Sequence, residues 1–181
     1  MRHSHPLFVE IYKNASRFTD YLTKQVWYEK NPDLPLLAVA RCPYSRFWSS
    51  CKEIYSRPDK DGTPRGEKDP VALIEKGLNE IKKLTPDKHF WTQSKFIEPY
   101  RHKITHVFLF QNLRKEVKEK CDEYNVVWHR WFDWDKVNMN PNPSDHTNDE
   151  FAIQYIRELK EVKYYYAEDF EWYNSIINNN L

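Results

Sequence analysis

The chain has 181 residues, with 28 Lys plus Arg against 27 Asp plus Glu and a formal charge of +1. Apolar residues make up 40% and charged residues 30%, which fits a globular domain with a sizeable core, and the charge balance argues against a generic nucleic-acid coat or a polybasic membrane binder. Only three glycines occur, Gly62, Gly66 and Gly77; none lies near the first apolar run, so neither a Walker A loop nor a GxGxxG dinucleotide loop can be written.

Leu7 to Tyr12 is short, apolar and rich in β-formers, and reads as a buried strand. Lys13-Asn14-Ala15-Ser16 follows as a turn, with Ser16 placed to cap a helix running to about Tyr28. Pro32 and Pro35 make the next stretch a loop. Leu36 to Arg41 is a second buried strand, and Pro43 suits the start of a helix reaching about Tyr55. Ser56 to Lys68 holds two prolines and two of the three glycines, and reads as a mobile loop.

Val71, Ile74, Leu78 and Ile81 recur at helical spacing within Pro70 to Leu84, and Thr85-Pro86-Asp87 ends that helix. Thr105 to Phe110 is a third strand, Arg114 to Tyr124 a charged helix, and Val126 to Trp128 a fourth strand. Val137 to Asp149 is a polar Asn/Pro loop, and Glu150 to Lys163 and Tyr165 to Ile177 are helical. Strands alternating with helices predict an α/β fold, a short and mainly parallel central sheet flanked by helices, in one domain over 1–181. Cys42, Cys51 and Cys121 form no CxxC pair and read as reduced thiols. No apolar run is long enough for a membrane span, and Met1 to Pro6 lacks a signal-peptide core. The expectation is a soluble, cytoplasmic protein.

Two constellations carry chemistry. In the first, a strand leads through Lys13-Asn14-Ala15-Ser16-Arg17 into a helix. A helix N-terminus offers backbone N–H groups to an anion, and here a lysine and a hydroxyl join them. In the second, Arg41 ends a buried strand and Ser49 lies on the following helix, in Arg41-Cys42-Pro43-Tyr44-Ser45-Arg46-Phe47-Trp48-Ser49. Ligands of open α/β sheets bind at the carboxyl ends of strands, and arginine there gives two-pronged phosphate recognition. Capped-helix and carboxylate-bridging roles are the alternatives for these residues.

Together the two pieces resemble the sulfotransferase superfamily, in its carbohydrate (Golgi-type) branch and that branch's small bacterial and viral relatives. The resemblance implies a three-layer, P-loop-like fold. Its Lys-[Thr/Asn]-[Gly/Ala]-[Ser/Thr]-[Ser/Thr] loop grips the 5′-phosphosulfate of PAPS (3′-phosphoadenosine 5′-phosphosulfate), which assigns Lys13, Asn14, Ala15, Ser16, Arg17, Phe18 and Thr19 to that group. Its Arg-x-Pro-[Tyr/Phe]-x-Arg-[Phe/Leu]-x-Ser signature makes Arg41 and Ser49 the 3′-phosphate ligands. Three further segments follow in the family's order: His89 to Ser94, similar to His-x-x-x-Gln; Val107 to Leu113, similar to a strand ending Phe-Glu-Asn-Leu; and Tyr166 to Phe170, similar to Tyr-x-x-Asp-Phe. The similarity spans about residues 7 to 174. Arg17 stands where the family has Ser or Thr, and Gln111 where it has an acid.

The implied reaction moves a sulfuryl group from PAPS to an acceptor hydroxyl, on a carbohydrate or another small molecule, leaving PAP, the desulfated nucleotide. Lys13 and the N–H groups of residues 15 to 17 would stabilise the leaving phosphate. No metal is required. The stretch from Phe18 to Leu36, where larger relatives keep a base, has no histidine; His89 is therefore the leading base candidate, with Glu29 and Asp20 as alternatives. His102 and His106, four apart, are the weak alternative of a metal pair on one helix face. The rival from another class is a non-catalytic nucleotide- or polyanion-binding module with the same fold. Near-neutral charge argues against nucleic acid as a partner.

Overall fold

The computed structural model describes residues 6–55, 68–137 and 149–179. The chain divides into two compact units. Apart from the last two residues, Met1–Arg41 and Phe96–Pro143 make one, and Cys42–Lys95 and Ser144–Asn179 the other. Among the described residues the fold is mixed α/β: helices predominate, and the first unit holds a short two-stranded parallel sheet. No helix among the described residues is long and apolar enough to cross a membrane. The predicted loop over Ser56 to Lys68, except for Lys68 itself, and the polar stretch 138–148 lie outside the described residues.

In the first unit, β1 (Leu36–Ala40) pairs in parallel with β2 (Ile104–Leu109), with Leu37 opposite His106 and Ala40 opposite Leu109. All five β1 residues are buried, which explains an unbroken apolar run in place of alternation. Helix α1 (Ser16–Gln25) buries Phe18, Thr19 and Leu22, and α5 (Leu113–Glu123) buries Leu113, Val117 and Cys121. With Phe8, Leu37, Val39 and Phe108 these side chains form one core. Burial pushes the Cys121 thiol up to about 12, so this cysteine is a packing residue. The α5 helix ends with Asn125 in the left-handed region (φ 53°). Val126 N–H then bonds back to Cys121 O and Asn125 N–H to Asp122 O, the paired closure of a Schellman motif.

Two predicted strands are reduced to single bridges. Leu7 to Tyr12 is buried along most of its length but pairs only at Phe8, through Val9 N–H to Leu37 O and Leu37 N–H to Leu7 O, both 2.8 Å. A continued parallel ladder would run from Val39 N–H to Val9 O and from Ile11 N–H to Val39 O. The Val39 carbonyl instead accepts Asn14 Nδ2 at 2.5 Å. Val126 to Trp128 likewise makes one antiparallel bridge with Val26. Asn31 clamps Val127, its Nδ2 donating to the carbonyl and its Oδ1 accepting the N–H, each at 2.8 Å.

Helices build the second unit: α2 (Pro43–Tyr55), α3 (Pro70–Ile81), α6 (Asp149–Arg157), α7 (Lys160–Tyr165) and α8 (Ala167–Asn179). The short helix α4 (Gln93–Ile97) starts in this unit and ends in the other. Phe47, Trp48, Ile74, Phe90, Ile156, Val162 and Tyr166 are the centre of the core. Asp69 caps α3 by accepting the N–H groups of Val71 and Ala72, with Pro70 in the first turn. Gly77 lets α3 approach α2: a Cβ there would stand 2.4 Å from Cys51 Sγ and 2.9 Å from Phe47. The helix predicted from Glu150 to Lys163 breaks after Arg157, where Glu158 and Leu159 bond three residues back and α7 starts afresh.

Candidate functional site

The Lys13 turn is built on left-handed backbone. Lys13 has φ 69° and Ala15 φ 60°, and neither is glycine. Ser16 is the first helical residue rather than the cap; Ala15 takes the cap position and, having no side-chain oxygen, makes no side-chain cap bond. A capping serine needs extended backbone, and the left-handed residue has moved one place upstream of it. Asn14, buried between the two, ties the turn to β1 through Val39. The Ala15 carbonyl receives the N–H groups of Phe18 (2.9 Å) and Thr19 (3.0 Å), starting α1. Among the described residues the N–H groups of Ala15 and Ser16 donate to no backbone carbonyl. A left-handed turn followed by the first N–H groups of a ten-residue helix is a concavity suited to phosphate or sulfate oxygens.

Arg41 belongs to the same unit. Its Nη1 donates to the Lys13 carbonyl at 2.8 Å, and its guanidinium lies over the Phe110 ring at 4.3 Å. The Lys13 turn and the arginine that ends β1 are thereby brought together. Of the remaining loop residues, Arg17 is exposed and Phe18 is a core side chain. Thr19 is buried, with its hydroxyl turned onto the carbonyls of Ser16 (3.1 Å) and Ala15 (3.3 Å).

In the second unit, Ser49 is half-buried on α2. Its neighbour Ser50 faces inward, with Oγ 2.6 Å from His89 O and 3.0 Å from Arg46 O. Arg46, the second arginine of the signature, is fully buried. Burial lowers its pKa, against the opposing influence of Tyr166 and Asp169. His89 sits in a 3-10 turn, Lys88–Phe90, with Nδ1 2.6 Å from Asp87 Oδ1. The same oxygen accepts the His89 N–H at 2.9 Å. Burial pushes the Asp87 carboxyl up, but its hydrogen bonds with the His89 N–H and ring outweigh that and hold it below its ordinary value.

The His-x-x-x-Gln and Tyr-x-x-Asp-Phe segments are joined. Asp169 accepts the N–H groups of Gln93 (2.7 Å) and Ser94 (2.9 Å) and the Ser94 hydroxyl (2.9 Å). The Tyr166 hydroxyl donates to Phe90 O at 2.8 Å. Gln111, the departure in the third segment, is exposed in the turn after β2.

The alternative bases lie on exposed positions of the first unit. Asp20 pairs with Lys24 at 2.6 Å, and Glu29 accepts Trp27 Nε1 at 3.4 Å. His102 and His106 do not share a helix: His102 is in a 3-10 turn and His106 in β2, edge-on to Phe108 at 4.6 Å, where burial depresses its pKa. Among the described residues no group of three or more His, Cys, Asp or Glu is arranged to hold a metal ion. Trp128, Phe132 and Trp134 pack on one another with centroids 4.6 to 5.3 Å apart against the core, while Trp131 stacks on His129 at 4.2 Å and stays exposed.

Sequence reasoning missed Asp87 and Glu80, which brace His89. A Pro-Asp pair directly before Lys88-His89 was the available signal, since aspartate at a turn accepts the N–H two residues on. Comparisons with protein-family models, with curated proteins and with solved structures gave no match to this chain.

Proposed function

We propose that the chain is a PAPS-dependent sulfotransferase with the P-loop-like fold its motifs imply. The observation that carries this reading is the hydrogen bond from Arg41 Nη1 to Lys13 O. It joins a strand-end arginine to a left-handed turn at a helix N-terminus, and each of these is an anion-recognising feature in its own right. Lys13 and the N–H groups of residues 15 to 17 receive the 5′-phosphosulfate. Arg41 takes the 3′-phosphate, with Ser49 as the second ligand implied by the resemblance.

In the reaction the bridging S–O bond of PAPS breaks and PAP departs with its electron pair, its new charge stabilised by Lys13. The acceptor hydroxyl oxygen bonds to sulfur, and its proton passes to His89. The acceptor is a carbohydrate or small-molecule hydroxyl, and the protein works as a soluble cytoplasmic enzyme.

A second reading is a nucleotide-binding module without turnover. It is favoured by Thr19, whose hydroxyl is directed at helix carbonyls, and by Arg17 in place of a hydroxyl residue.

A thermal-shift titration with PAP tests both, with ADP and a mononucleotide lacking the 3′-phosphate as controls. A ligand that binds only the folded state raises Tm. The expected result is a shift with PAP that the controls do not give, followed by sulfuryl transfer from PAPS in an acceptor screen. PAP binding without turnover selects the module, and no shift at millimolar PAP overturns both readings.

A further inference from the structure

We infer that Asp87 and Glu80 are positioning residues that fix the His89 ring proton on Nδ1, which makes Nε2 the acceptor nitrogen of the ring. This rests on the reading of His89 as the base. An ionised carboxylate has lone pairs and no proton to donate, so a ring nitrogen 2.6 Å from Asp87 Oδ1 must carry the hydrogen. In the neutral imidazole the other nitrogen is then an acceptor. Asp87 is itself held from behind: its N–H donates to Glu80 Oε1 at 2.9 Å. Glu80 is only 7% exposed, and its Oε2 accepts the Tyr55 hydroxyl at 3.0 Å and Lys83 Nζ at 2.6 Å. On the other side, the His89 carbonyl accepts the Ser50 hydroxyl at 2.6 Å.

The histidine is thus braced from α2 through Ser50, from α3 through Glu80, and from its own turn through Asp87, all within the second unit. A carboxylate capping a 3-10 turn needs only the backbone bond to His89 N–H. The ring contact and the buried Glu80 behind it go beyond that requirement. They match the arrangement in which a carboxylate selects the tautomer of a histidine base.

The experiment is ¹⁵N NMR of the His89 ring at about pH 9, where an ordinary imidazole is neutral, on the parent and on Asp87→Ser. Serine still accepts the His89 N–H as a turn cap but is too short to hold the ring. The parent is expected to show the Nδ1–H tautomer, and Asp87→Ser to move the population towards Nε2–H with PAP binding intact. With PAPS and an acceptor, kcat of Asp87→Ser is expected to fall by at least about 10-fold. Glu80→Ala should move the tautomer in the same direction, and Glu80→Gln, which keeps the acceptor for Asp87 N–H, should restore it. Tm measured alongside separates these effects from unfolding. A parent ring already in the Nε2–H form, a tautomer unmoved in Asp87→Ser, or an unchanged kcat overturns the inference. A parent that neither binds PAP nor transfers sulfuryl groups removes the sulfotransferase reading, while the tautomer measurement still decides the brace.

Discussion

Arg41 reaches back 28 residues to donate from Nη1 to the main-chain carbonyl of Lys13 at 2.8 Å. The bond engages the backbone of Lys13 and not its side chain, so the two residues separate in a mutational test. Lys13→Ala removes the ammonium and keeps the carbonyl that Arg41 bonds; it should weaken PAP binding by about 1.5–3 kcal/mol, the worth of a charged hydrogen bond. Arg41→Ala should weaken PAP binding by a similar amount and also lower the free protein's Tm, because the turn loses its support. Arg41→Lys should not rescue binding, since a point charge does not replace a planar fork. Calorimetry with PAP and thermal melts of the free variants read these outcomes. If both alanine variants bind PAP as tightly as the parent, the phosphate assignment is wrong.

Ala15 gives a prediction of the opposite sign. A left-handed conformation costs an L-residue roughly 1–2 kcal/mol, and glycine escapes that cost but loses more chain entropy on folding. With φ 60° and ψ 26° at Ala15, relief of strain outweighs the added entropy loss. Ala15→Gly is expected to stabilise the protein by about 0.5–1 kcal/mol in urea unfolding. A destabilised variant would mean that the methyl group's contact with the first core outweighs the strain.

The legible parts of the fold are those that side-chain periodicity governs. β1, β2 and the helices α2, α3 and α5 lie close to where apolar spacing and the prolines put them. Leu7 to Tyr12 and Val126 to Trp128 have strand composition without forming full strands, because composition does not reveal which partner fills the next ladder position. At Val39 and at Val127 the occupant is an asparagine side chain, Asn14 in one case and Asn31 in the other. A side-chain amide carries the same donor and acceptor as a peptide, so it can end a ladder as readily as another strand can extend it. At the site, strand-to-helix order is enough to find the Lys13 turn and Arg41. The Asp87 and Glu80 contacts are not legible in the same way, because they depend on how a loop returns towards α3.

Glu80 makes acid stability a reporter of that loop. Burial raises its carboxyl pKa, but the bonds from Lys83, from the Asp87 N–H and from Tyr55 outweigh burial and leave it below its ordinary value. A carboxyl depressed in the folded state contributes stability above its unfolded pKa of about 4.3 and loses it as pH falls through the folded value. Glu80→Gln should therefore be less stable than the parent at pH 7, with the difference shrinking below about pH 4. Urea midpoints across that range measure it. A gap that stays constant down to about pH 2 would show that the charge of Glu80 contributes nothing to folding.

Asp169 carries a concentrated structural demand in the second unit. Its side chain is fully buried, it accepts three hydrogen bonds from Gln93 and Ser94, and it is the acidic group that opposes the loss of charge on the buried Arg46. Asp169→Ala strands two backbone donors and a hydroxyl, and removes a negative charge that, after Tyr166, favours the buried Arg46 cation. Breaking such an arrangement from one side typically costs about 3–5 kcal/mol, a large share of the stability of a domain this size. Asp169→Asn keeps an acceptor oxygen and loses the charge, so it should fall between Ala and the parent. The electrostatic part is isolated by pairing Asp169→Asn with Arg46→Met: if the two groups oppose each other's desolvation, the double variant is less destabilised than the sum of the singles. Denaturant unfolding of the four proteins gives the coupling energy, and strict additivity would assign Asp169 to backbone capping alone.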